Sequence, residues 1–232
     1  MDILNLGWGW RTFREALVGK ATSLSNWYFK EIPLTLQRIR LPAGLMALAL
    51  LAGLWLGGTQ ASVFILPENL LSLEGLDEGF IEGIDFWRFF SVTGIGTILL
   101  HNLRAILLAA VLGLFTFGVL GVIVLMLPIM LIGYFMMSMA TVGLPPLTFF
   151  TALVLPHGIL EIPAIILSGA AILRIGATLA SPARGRTIGE AWLAALADWA
   201  RIMLGLVLPL LVGAAILEVM VTPRLAILLL GG

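Results

Sequence analysis

The chain contains no cysteine. That excludes disulfides, thiolate metal sites and cysteine nucleophiles, and leaves the redox compartment open. Charge is scarce as well: Asp, Glu, Lys and Arg make up 11% of the 232 residues, 13 basic against 13 acidic. No global field therefore draws in nucleic acid or an acidic partner. Only two histidines occur, too few to build a zinc cage by themselves, so neither a metal nor another cofactor is expected. Walker A, Gly-x-Ser-x-Gly and His-Glu-x-x-His patterns are missing, and with them the residues for nucleotide hydrolysis, hydrolase and zinc-protease chemistry. No enzyme is expected. An intramembrane enzyme would need a nucleophile or metal set at one depth, and His157, Glu161 and Glu218 offer only acid–base groups.

What is abundant is hydrocarbon. Hydrophobic residues fill 60% of positions and the mean hydropathy is +1.10, far from the balance of a soluble domain. A helix crossing roughly 30 Å of hydrocarbon needs about 20 apolar residues. The expected fold is all-α, a polytopic transmembrane helical bundle of about five spans with amphipathic interfacial helices. The first span covers residues 41–58, which hold no charged side chain, and it stands behind an arm too long and too charged for a secretory signal. Residues 105–156 carry no Asp, Glu, Lys or Arg at all, so this stretch must fold back. It supplies a second span at 97–122 and a third at 124–142, ended by Gly143, Pro145 and Pro146. A fourth span at 147–179 contains Pro156 and Pro163, each lacking a backbone donor. With Gly158 they make a kink, a break or a re-entrant half-helix the expectation near His157. The fifth span is 201–221, and the tail 224–232 is too short to cross.

Charge sets the orientation. The arm 1–40 holds Arg11, Arg14, Lys20, Lys30, Arg38 and Arg40 against Asp2, Glu15 and Glu31, which places the N-terminus in the cytoplasm of a cell membrane. The loop 59–96 is then external, and it is acidic: Glu68, Glu74, Asp77, Glu78, Glu82 and Asp85 face only Arg88. Around Arg88, Phe86, Trp87, Phe89 and Phe90 read as an interfacial aromatic belt. Five crossings return the loop 180–200 to the cytoplasm, near Arg174, Arg184 and Arg186, and leave the C-terminus outside. Residues 27–40 and 188–200 are amphipathic and suited to lie flat in the headgroup layer, either as plain anchors or as a docking surface for a cytoplasmic protein. Small residues four apart, Ala49, Gly53 and Gly57 in the first span and Ala109 and Gly113 in the second, permit close helix approach.

Ionisable groups at bilayer depth need a partner, a wet cavity or a role. His157 and Glu161 are four residues apart and share one helix face. They serve either as a proton or cation relay or as a neutralised pair fixing the fourth span. Glu218 near the end of the fifth span is either solvated at the interface or paired with the fourth span or Arg104. Asn102 and Arg104 stand with His101 at the start of the second span, where Arg104 can snorkel to the headgroups.

The run Leu155-Pro156-His157-Gly158, followed by Glu161 and Ala164, resembles the Pro-His-Gly-x-x-Glu signature of the stage II sporulation protein M family. Similar too are Asn102 at the start of the second span, the Gly and Phe spacing between Gly113 and Gly118, and the closing Ala-x-x-Glu at Ala215 to Glu218. Together these cover roughly residues 41–223. A departure is Pro128-Ile129, where the family often shows Asn-Gly. The resemblance implies a five-span, non-enzymatic membrane protein. The named member works with peptidoglycan hydrolases D and P in engulfment, and most relatives occur outside sporulation. The family's fold is also broadly similar to export permeases of ABC transporters, an analogy of fold only. The expected partners are membrane lipid and either a cytoplasmic ATPase or extracytoplasmic cell-wall factors, with a homodimer as the alternative and no nucleic acid. A scaffold that recruits proteins into a complex is the leading expectation; a permease subunit working with a separate ATPase, or a channel, is the other.

Overall fold

A computed structural model describes residues 13–15, 17–18, 23–64, 92–181, 185 and 187–230. Most of the acidic loop, its aromatic group around Arg88, and Arg11, Lys20, Arg184 and Arg186 lie outside the described residues. Among those described, no strand occurs. Five helices are long and apolar enough to cross a membrane: α1 (Leu24–Gln60), α2 (Val92–Phe115), α3 (Val119–Thr141), α4 (Pro146–Ala180) and α5 (Ile188–Met220). A short α6 (Thr222–Leu230) follows and leaves Ile227, Leu228 and Leu229 exposed. Hydrocarbon offers backbone groups no partner, so long apolar segments close their hydrogen bonds internally as helix. The chain is an all-α, polytopic membrane protein.

The helices are more continuous than the sequence suggests. The amphipathic residues 27–40 are not a separate surface helix; they run through a π-helical turn at Trp27–Glu31 and past Pro42 into α1. Likewise, residues 188–200 continue through a second π turn, Met203–Val207, into the fifth span. The start of α5 is fixed by a capping box, in which Thr187 Oγ1 accepts from Glu190 N and Glu190 Oε2 accepts from Thr187 N. The fourth span shows neither break nor re-entry at Pro156, Gly158 or Pro163. A π turn at Phe150–Val154 widens the helix just before Pro156, where the ring would otherwise meet the carbonyl four residues back.

The turn between the second and third spans also differs from expectation. It falls at residues 116–118 rather than at 123. Phe117 (φ 53°) and Gly118 (φ 92°) adopt left-handed backbone, and Gly118 N donates to Gly113 O at 2.8 Å, closing α2 in the manner of a glycine C-cap. Thr116 Oγ1 then accepts from Leu120 N at 3.0 Å and opens α3. Apolar composition on both sides hides this turn.

Contacts divide the chain into two units, and each of α1 to α5 supplies a stretch to both. Unit 1 comprises Met1–Leu48, Ala105–Leu125 and Pro163–Pro209. Its core includes Ile39, Met46, Ile106, Ile172 and Ile202, all at most 2% exposed. Unit 2 comprises Ala49–Arg104, Met126–Ile162 and Leu210–Gly232. There α1 and α3 meet through glycine: a methyl at Gly57 would overlap the backbone of Met130, and one at Gly133 the carbonyl of Leu54. Small-residue spacing thus becomes backbone contact, the packing favoured where lipid supplies no hydrophobic drive between helices.

Gly57→Ala is expected to destabilise the detergent-solubilised protein by about 1–3 kcal/mol, as overpacking does. Gly44→Ala, on the same helix with nothing within 4 Å of the added methyl, should be neutral or stabilising. Thermal unfolding of the two variants side by side checks this.

Candidate functional site

Among the described residues, two polar clusters interrupt the apolar helices. The first, in unit 1, centres on Asp198 of α5. Its side chain is 4% exposed and lies 2.9 Å from Arg201 Nη1, 3.1 Å from Arg174 Nη2 and 3.3 Å from Arg38 Nη1. Arg201, 3% exposed, also donates to Thr35 Oγ1 at 2.7 Å and to Leu17 O at 3.2 Å. Arg174 Nη1 reaches Arg38 O at 3.2 Å. One carboxylate thereby ties α1, α4 and α5 together. The aromatic end of α1 adds to this: Tyr28 donates to Gly205 O at 3.1 Å, and Trp27 Nε1 donates to Leu17 O at 3.1 Å.

On the sequence, Asp198 reads as part of the polar, solvated face of an amphipathic segment. The structure buries it, because the small residues Ala191, Ala195 and Ala197 of α5 turn inward with it. The available signal was the spacing: Asp198 and Arg201 are three apart, one helix turn, at the entry to an apolar span. Arg38 and Arg174, read there only as topology determinants, supply the other two guanidinium groups.

The second cluster, in unit 2, contains the residues that the sequence singles out. His157 and Glu161 lie on α4, with His157 Nε2 3.8 Å from Glu161 Oε2. Glu218 of α5 joins them, and one ligand atom from each of the three lies within 4.8 Å of the others. All three are half-buried. Close packing permits this: a Cβ on Gly213, five residues before Glu218, would stand 2.7 Å from Leu160 Cδ1. Thr222, at the start of α6 and 8% exposed, holds the imidazole with its hydroxyl, 3.2 Å from His157 Nδ1. That hydroxyl is also placed to donate to Leu217 O at 3.3 Å. In that pattern the hydroxyl can accept from Nδ1–H, the tautomer in which Nε2 carries the lone pair.

Glu218 thus meets the fourth span rather than Arg104. Arg104 is exposed, and the ion pairs found among the described residues do not include it. Asn102 is half-buried, and its Nδ2 has no hydrogen-bond partner among the described residues. Thr222 was missed on the sequence, where it reads only as a tail residue after the last span. Chemically, the cluster offers one imidazole nitrogen and two carboxylates, a set able to carry a proton or hold a cation.

Asp198→Leu takes the carboxylate from a buried guanidinium and is expected to cost about 3–5 kcal/mol. Arg38→Ala removes a side chain that is 53% exposed and should cost under about 1 kcal/mol. Unfolding followed by far-UV circular dichroism separates the two. Equal losses would contradict this picture of the clamp.

Comparison with known proteins gives one family. The family model described as stage II sporulation protein M matches residues 43–223. No curated protein and no solved structure matches the chain.

Proposed function

The chain belongs to the stage II sporulation protein M family, and we propose that it is a non-enzymatic membrane subunit that recruits other proteins into a complex at the cell membrane. One observation carries this reading. The Asp198 clamp fastens the N-terminal end of α1 and the amphipathic start of α5 to each other through α4. Loose surface anchors need no such clamp; a rigid platform that presents basic side chains to a partner does. Arg14, Lys30, Arg38 and Arg40 are exposed along that arm. The partner on this side is a protein with an acidic docking face.

In this reading the platform is cytoplasmic, by the excess of Lys and Arg in the arm, and the C-terminus is extracytoplasmic. The absence of cysteine makes the orientation directly measurable. Single cysteines replacing Ser25 and Leu228, both exposed, should react with a membrane-impermeant maleimide from opposite faces, the second from outside intact cells. Labelling of both from the same face would contradict a five-span path.

A second reading, a permease subunit driven by a separate ATPase or a channel, draws on His157, Glu161 and Glu218 lying within helices long enough to span. Intramembrane ionisable groups commonly mark ion or substrate paths. Native extraction in mild detergent followed by mass spectrometry distinguishes the readings. The recruiting subunit is expected to return a stoichiometric partner, lost in Asp198→Leu. A nucleotide-hydrolysing partner would favour the permease, and recovery of the chain alone would remove the support for recruitment.

A further inference from the structure

We propose that His157, Glu161 and Glu218 form a binding site for one divalent transition cation of the zinc type. The site lies outside the recruiting reading and does not depend on it. The first support is geometric. Two ligands held about 2.0–2.2 Å from one metal stand about 3–4 Å apart. Nε2 and Oε2 at 3.8 Å are too far for a hydrogen bond, yet at the spacing that one shared cation spans. Glu218 lies close enough, within 4.8 Å of both, for a side-chain rotation to complete a three-ligand set. A fourth position is then open to water, as in catalytic or exchangeable zinc sites.

The second support is independent of the ligands themselves. Metal-binding imidazoles typically give their other ring N–H to an acceptor that fixes tautomer and ring plane. Thr222 is placed to do this: its hydroxyl lies 3.2 Å from Nδ1 and 3.3 Å from Leu217 O, so it can accept the Nδ1 hydrogen, donate its own to the carbonyl and leave Nε2 to the metal. Thr222 belongs to α6, whereas the ligands come from α4 and α5, so three elements converge on one point.

The third support is charge. Among the described residues, neither carboxylate forms an ion pair with Lys or Arg. Two neighbouring half-buried carboxylates in apolar helices repel and are poorly solvated, and a dication answers both problems at once. The donor set selects the class. One nitrogen and two oxygens, with no thiolate in the chain, suit Zn²⁺, Co²⁺, Mn²⁺ or Fe²⁺. Ca²⁺ and Mg²⁺ instead favour six or more oxygen ligands. On the sequence alone two histidines are too few for a cage; the fold changes that by adding Glu218.

The test uses the full chain, without a histidine tag, purified in detergent and stripped with EDTA. After dialysis against Zn²⁺, elemental analysis should find about one zinc per chain, and Co²⁺ should give visible absorption that Zn²⁺ abolishes. Thr222→Val should keep the stoichiometry but weaken affinity about 10–100-fold. Glu161→Gln with Glu218→Gln should abolish uptake. A wild-type protein that stays zinc-free and spectroscopically silent with Co²⁺ would overturn the proposal, as would full uptake by the double variant. If the double variant fails to fold, wild-type stoichiometry and the Thr222→Val affinity decide.

Discussion

A charge or an unsatisfied backbone amide inside hydrocarbon costs several kcal/mol, and nearly every feature of this chain follows from that one cost. It makes the five long segments helical from end to end. Two of the π turns lie where a proline or an amphipathic stretch would otherwise interrupt a helix. Their wider winding keeps the chain helical where an open break would expose carbonyls. It also requires each ionisable side chain to find its opposite nearby, and the two polar clusters meet that requirement in different ways.

Around Asp198 the requirement is met internally. Three guanidinium groups surround one carboxylate, and Thr35 and the carbonyl of Leu17 take further Arg201 donors. The result is a closed set whose role is to hold helices. Around His157 the balance is open. One imidazole and two carboxylates come together, and among the described residues no arginine or lysine forms an ion pair with them. Protons or a cation would neutralise such a set. That contrast separates the two clusters: the first fastens α1, α4 and α5 together, and the second is the one proposed above to take a ligand.

Much of the fold was legible in the sequence because hydrophobic length is a strong signal. Five spans, Pro145 and Pro146 closing the third and the short tail all emerge from runs of apolar residues. The turn at Thr116 to Gly118 was not legible, because it sits inside a stretch with no charge on either side and is marked only by a glycine and a Thr hydroxyl. The continuity of α1 and α5 was hidden by amphipathic residues that, read alone, suggest helices lying flat. At the site, His157 and Glu161 were visible through their four-residue spacing, and the family signature covers them. Glu218 and Thr222 are 57 or more residues further along the chain, and only the fold brings them to the pair. Arg38 and Arg174 likewise reach Asp198 only through the fold, whereas Arg201 stands one helix turn from it.

If Glu161 and Glu218, from different helices, act within one site, their effects on stability couple. A double-mutant cycle tests this most directly, with unfolding free energies measured in detergent for Glu161→Gln, Glu218→Gln and the double variant. The double variant should depart from the sum of the single changes by more than about 0.5 kcal/mol, because groups that share a site couple. Additivity within about 0.3 kcal/mol, the behaviour of distant residues, would contradict it.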